Sequence, residues 1–120
     1  MGKFVIRQTA TGFKFDLKAT NGEVIATSEI YTTKAACVKG AEGVAKVAPE
    51  ANFADLTAEQ TATNPKFELY QDKAGQYRFR LLARNGENIA ASEGYTTKTA
   101  CENGIASVRR NAADAEIVEE

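Results

Sequence analysis

Residues 15–44 and 79–108 are near copies of one another. Phe15, Leu17, Asn21, Gly22, Ser28, Glu29, Tyr31, Lys34, Cys37 and Gly40 recur in the same order and spacing as Phe79, Leu81, Asn85, Gly86, Ser92, Glu93, Tyr95, Lys98, Cys101 and Gly104. Such self-similarity marks an internal duplication. It constrains the fold more than any other feature, because a unit of roughly 60 residues is marginal as an independent core. In a chain of 120 residues, two units sharing one core are expected rather than two independent beads.

Each unit reads the same way. Residues 3–7, Lys3-Phe4-Val5-Ile6-Arg7, are a short β-branched run, the composition of a strand. In residues 13–19, Phe13, Phe15, Leu17 and Ala19 alternate with Lys14, Asp16 and Lys18, which is a strand buried on one face only. Asn21-Gly22 predicts a tight type I′ hairpin turn, and residues 24–28 return antiparallel. The second unit matches with residues 67–70, 77–83, Asn85-Gly86 and 89–92, and differs by one residue in its first loop.

A helix follows in each unit, with Thr32 or Thr33 (Thr96 or Thr97) placed to cap its first turn. Cys37, Gly40, Ala41, Val44 and Val47 form an apolar stripe, repeated by Cys101, Gly104, Ile105, Val108 and Ala112. Mid-helix glycine costs about 1 kcal/mol against alanine, so its recurrence predicts a helix lying close on the sheet. Short extended pieces close the units at residues 52–56 and 115–118. The chain is thus expected to be a single domain over residues 1–120, with repeat 1 at 1–56, a linker at 57–65 and repeat 2 at 66–120.

The residues Asn85-Gly86-Glu87, Ile89-Ala90-Ala91-Ser92-Glu93, Tyr95-Thr96-Thr97-Lys98 and the helix from Cys101 to Val108 with its Gly104-Ile105 step resemble the YegP-like family, small and mostly bacterial domains of unassigned function. Repeat 1 departs at Ala41-Glu42-Gly43, where the family favours Ile-x-Ser, which predicts looser helix packing there. The resemblance covers nearly the whole chain apart from the linker. It implies an α+β fold of two tandem β3-α-β repeats in one mostly antiparallel sheet, with both helices on one face and pseudo-twofold symmetry. It also implies exchange of the last strands, so that residues 52–56 pair with repeat 2 and residues 115–118 with repeat 1. The family supplies no catalytic or ligand residues to carry over.

Composition narrows the functional classes. A net charge of −1 gives no global attraction to nucleic acid or anionic membrane. No apolar run approaches the roughly 20 residues of a membrane helix, and the start of the chain has no long apolar signal core, so a cytoplasmic protein is expected. Histidine is missing, which removes the commonest general base and metal ligand. P-loop and dinucleotide fingerprints are missing too. No catalytic residue, cofactor or metal is expected.

Two surfaces stand out. The loop Ser28, Glu29, Tyr31, Thr32, Lys34 and its twin Ser92, Glu93, Tyr95, Thr96, Lys98 lead into helix starts, where free N–H groups favour anions. The same residue types cap helices and seal core edges, and that structural role carries more weight. The second surface is the uncovered sheet face, where Lys14, Lys18, Arg78, Arg80 and Arg84 project with Asp16 and Leu82, and with Lys3 and Arg7 if the first strand has matching parity. With Tyr70 nearby, this basic face could follow a single-stranded nucleic acid; an ordinary charged solvent face is the plainer interpretation. Glu50, Asp55, Glu59, Asp114, Glu116, Glu119 and Glu120 gather the acids in the linker and tail. Cys37 and Cys101 lie on the apolar stripes and behave as small hydrophobes, and nothing fixes Glu29 and Glu93 as an acid–base pair.

The resulting expectation is a non-enzymatic binding or interaction module of unknown ligand, monomeric because it already contains both halves. A nucleic-acid binder is the alternative, and an enzyme of unrecognised type is the least supported.

Overall fold

The computed structural model describes residues 2–120. Repeat 1 comprises β1 (Lys3–Thr9), β2 (Gly12–Lys18), β3 (Val24–Thr27), α1 (Lys34–Val47) and β4 (Asn52–Asp55). Repeat 2 comprises β5 (Lys66–Gln71), β6 (Tyr77–Leu82), β7 (Asn88–Ala91), α2 (Lys98–Ala112) and β8 (Glu116–Glu119). All eight strands form one sheet in the order β4-β5-β6-β7-β3-β2-β1-β8. The two meanders meet antiparallel at the centre, where Thr27 pairs with Ala91. The outermost strands are exchanged: β4 of repeat 1 runs parallel to β5, and β8 of repeat 2 runs parallel to β1.

The alternation in β2 and β6 sorts side chains as the sequence predicts. Phe15, Leu17, Phe79 and Leu81 are fully buried, joined by Phe4 and Ile6 from β1 and Phe67 and Leu69 from β5. Both helices cover this face and complete one continuous core. Each reaches strands of the other half, α1 contacting β7 and α2 contacting β3, β2 and β1. The core is thereby shared across the repeats. The buried residues of α1 are Cys37, Ala41, Val44 and Val47, and those of α2 are Cys101, Gly104, Ile105, Val108, Asn111 and Ala112.

One local expectation is corrected and a second is refined. The Asn-Gly turns are not type I′, since Gly22 and Gly86 have positive φ (86° and 85°) while Asn21 and Asn85 do not. Gly22 N–H donates to Ala19 O and Ala19 N–H to Glu23 O, each at 2.9 Å, and Ala83, Gly86 and Glu87 repeat the pattern. This is the three-residue loop in which a type I turn is followed by a left-handed glycine. The aspect of Asn21 and Asn85 that matters is the side chain, whose Oδ1 accepts from the N–H of Glu23 and Glu87. The helix glycines, secondly, face the loop tyrosine first, although at Gly104 the helix also lies close on the sheet, a Cβ there falling 3.1 Å from the Phe79 ring of β6. A Cβ at Gly40 would run into the Tyr31 ring and hydroxyl, and one at Gly104 into Tyr95. The glycines make room for the loop tyrosine.

Candidate functional site

In the two repeated loops the side chains are engaged in holding the fold. Ser28 Oγ accepts from Phe15 N–H at 2.9 Å and donates to Glu29 O at 2.8 Å, and Ser92 does the same with Phe79 and Glu93. These hydroxyls satisfy buried backbone groups beyond the end of the regular strand pairing. Tyr31 and Phe13 exchange two backbone hydrogen bonds, as do Tyr95 and Tyr77. The Tyr31 ring stacks on Phe15 and the Tyr95 ring on Phe79, centroids 6.4 Å apart in both. Burial pushes both tyrosine hydroxyls above their ordinary pKa.

Thr33 and Thr97 are the caps, accepting from Ala36 and Ala100 N–H at 3.1 Å. Thr32 and Thr96 are exposed and make no side-chain hydrogen bond among the described residues. Glu29 and Glu93 are exposed as well. The lysines are not free. Lys98 Nζ lies 3.0 Å from Asp55 Oδ2, and Lys34 pairs with Glu119. Each lysine thereby ties its helix start to the exchanged strand donated by the other repeat. Asp55 is the better anchored acid, since its Oδ1 also accepts from Thr57 N–H and Oγ. Burial pushes the Asp55 carboxyl up, but these bonds outweigh it and hold the pKa below the usual value.

The open sheet face divides into unlike halves. Register places Lys3 opposite Lys18, Val5 opposite Asp16 and Arg7 opposite Lys14, so β1 has the same parity as β2 and its cations join the face. On the repeat 2 half, every named arginine has an acid partner. Arg80 Nε reaches Glu68 at 2.8 Å, Lys66 holds the other Glu68 oxygen at 3.3 Å, and Arg78 reaches Asp72 at 2.7 Å. Burial opposes ionisation of Glu68, yet Arg80 and Lys66 prevail and lower its pKa. Arg80 also lies over the Tyr70 ring, 4.8 Å from its centroid, which occupies the one aromatic expected to stack a base.

Arg84 does not belong to this face. It follows the register shift at Leu81/Leu82 and pairs with Glu50 of the short turn after α1. Glu68 joins Asp16 as a second acid on the face, since register brings it in from β5 opposite Arg80. On the repeat 1 half, Arg7 reaches Asp16 at 2.8 Å. Lys3, Lys14 and Lys18 make no ion pair among the described residues.

Cys37 and Cys101 are free and fully buried, and burial raises both thiols, Cys101 to about 11. Such thiols carry little thiolate at neutral pH. Among the described residues no group of three or more His, Cys, Asp or Glu side chains is arranged to hold a metal. Among the described residues no helix is long and apolar enough to cross a membrane. One important residue had no signal in the duplication. Arg109 donates to Ala48 O and Ala51 O at 3.1 and 2.8 Å and lies over the Phe67 ring, locking α2 to the turn that leads into β4. Its counterpart in repeat 1 is Ala45.

The chain matches the family model described as a domain of unknown function, DUF1508, twice, over residues 9–55 and 72–119. It is 42% identical over 115 residues to a UPF0339 protein of Bordetella pertussis, covering 95% of this chain and 91% of that one. A UPF0339 protein of Treponema denticola is 57% identical over 54 residues, which are 45% of this chain but 93% of that protein. Among solved structures, the solution structure of yegP from E. coli, a protein of unknown function, superimposes with a TM-score of 0.82 at 32% identity, covering 99% of this chain and 92% of that one. The chain therefore belongs to the DUF1508 (UPF0339) family, in tandem-repeat form, and no function is assigned to the family or to these relatives.

Proposed function

We propose that the chain is a non-enzymatic binding module that works as a monomer in the cytoplasm, through the repeat 1 half of the open sheet face. The observation that carries this reading is the contrast between the halves. The arginines of repeat 2 are neutralised within the fold, whereas Lys3, Lys14 and Lys18 stand without carboxylate partners on two adjacent strands. A non-enzymatic role is supported by the repeated loops, whose serines, tyrosines and lysines serve the fold. Free buried thiols favour a reducing compartment. Exchange of β4 and β8 within one chain favours a monomer.

The test is capture from a bacterial lysate by three baits: the parent chain, a Lys3/Lys14/Lys18→Ala variant and an Arg78/Arg80→Ala variant. A specific partner retained by the parent and the arginine variant but lost by the lysine variant supports the reading. Retention by the lysine variant overturns it.

Nucleic acid is the second reading, favoured by the close set of Lys3, Arg7, Lys14 and Lys18. It predicts salt-sensitive binding of a single-stranded oligonucleotide that the lysine variant loses. A flat anisotropy titration at low salt removes it.

A further inference from the structure

β8 is one of the two outermost strands of the sheet. Glu116 N–H donates to Gly2 O at 3.3 Å and Glu120 N–H to Ile6 O at 2.9 Å, so the even-numbered residues of the strand bond to β1. Alternate residues of a strand turn their backbone groups to opposite sides. The N–H and C=O of Ile117 and Glu119 therefore point away from the sheet, and they have no partner among the described residues. Such an edge is a template for a further strand.

The duplicate edge offers an internal comparison. In β4 the outward groups belong to Phe53 and Asp55, because Asn52 N–H donates inward to Pro65 O at 2.9 Å. There the chain folds back on itself: Gln60 N–H donates to Asp55 O at 3.0 Å, and Gln60 Oε1 accepts from Asp55 N–H at 3.1 Å. One outward pair is closed in β4, whereas both are open in β8.

The side chains of β8 say which strand fits. Glu116, Val118 and Glu120 share one side by alternation. Glu116 and Glu120 are exposed and make no ion pair among the described residues, while Glu119 is engaged by Lys34. Two copies pairing antiparallel about the midpoint of β8 would set Glu116 opposite Glu119, and like charges so placed are destabilising. The edge thus disfavours a second copy and favours a basic strand.

We propose that the β8 edge binds an extended basic segment of another protein as an added antiparallel strand. The segment's backbone exchanges hydrogen bonds with Ile117 and Glu119, two of its cations meet Glu116 and Glu120, and an aliphatic residue between them lies beside Val118. This surface is separate from the open-face lysines and does not depend on their having a partner.

Titration of the full chain with the capped peptide Lys-Thr-Val-Val-Lys, followed by backbone amide shifts, tests it. Saturable shifts at Ile117 and Glu119 are expected. N-methylation of the second and fourth peptide residues, which face Glu119 and Ile117, should weaken binding about tenfold or more by removing two backbone donors. The peptide Glu-Thr-Val-Val-Glu should not bind the parent chain, and the Glu116→Lys/Glu120→Lys variant should reverse the preference between the two peptides. Should that variant fail to fold, the N-methylated peptide and the acidic peptide still decide on the parent chain. No saturable shift, shifts confined to other strands, equal affinity for the N-methylated or the acidic peptide, or self-association of the chain through β8 overturns the proposal.

Discussion

Gly40 and Gly104 show how a residue that looks like a helix defect can be required. Alanine normally stabilises a helix by about 1 kcal/mol relative to glycine, but a methyl group here enters the space of the Tyr31 or Tyr95 ring. Gly104→Ala should therefore destabilise the chain, by about 1–3 kcal/mol as for other overpacked sites, measured by urea denaturation; stabilisation would contradict the packing described. Glu68 predicts a pH dependence. Its folded pKa lies below its unfolded value because Arg80 and Lys66 outweigh its burial. Such a carboxylate contributes stability that is fully present above the unfolded pKa of about 4.3 and is lost as the pH falls through the folded pKa. Glu68→Gln should flatten the decline in stability on acidification below about pH 5, read from denaturation midpoints across that range. An acid limb as steep as that of the parent chain would count against the Glu68 cluster. At this scale the recurring residues were visible in the sequence, but their contacts were not. Nothing in local patterning says that Lys98 meets Asp55 or that Arg80 meets Glu68, since both pairings depend on register between distant segments.

Strands and helices were legible because period two and the apolar helical stripe each recur in two copies, so the second copy checks the first. The turns were read less well. Asn-Gly suggested a two-residue loop, but Ala19 and Glu23 close a longer one, and the left-handed position falls on glycine alone. The Ser-Glu-x-Tyr loop was ambiguous for a physical reason: serine, threonine and lysine at a helix start suit an anion and a cap equally well. The exchanged strands follow from the family resemblance rather than from periodicity, and their anchors became evident only in three dimensions. The two lysine clips should differ in strength. Lys34–Glu119 is an exposed pair, worth at most about 1 kcal/mol. Asp55 is largely buried and bound by Lys98 and Thr57 together. Asp55→Ala should cost more stability than Glu119→Ala, in the range of about 2–4 kcal/mol expected for removing one partner of a buried charged network. Equal effects in chemical denaturation would show that the acid does not secure β4.

At the scale of the molecule, the duplication is a dimer built into one chain. Each half lends its last strand to the other, and both helices close one core. The T. denticola relative, most of whose length aligns with 54 residues of this chain, shows that a single repeat also exists alone. The halves diverge on the uncovered face, where repeat 2 pairs its arginines with acids and Lys3, Lys14 and Lys18 of repeat 1 make no ion pair among the described residues. The basic character of that face was legible from alternation in β2 and β6; its division was not, because Glu68 and Asp72 enter from a neighbouring strand and loop. The shared core is tested most directly by sedimentation and far-UV circular dichroism of the full chain, of residues 1–56, of residues 66–120 and of the two fragments mixed. The full chain should be a monomer at micromolar concentration, and neither fragment should fold as a monomer. The mixture should recover native ellipticity as a one-to-one complex. A fragment that folds cooperatively as a monomer, or a full chain that is an obligate dimer, would contradict the built-in dimer.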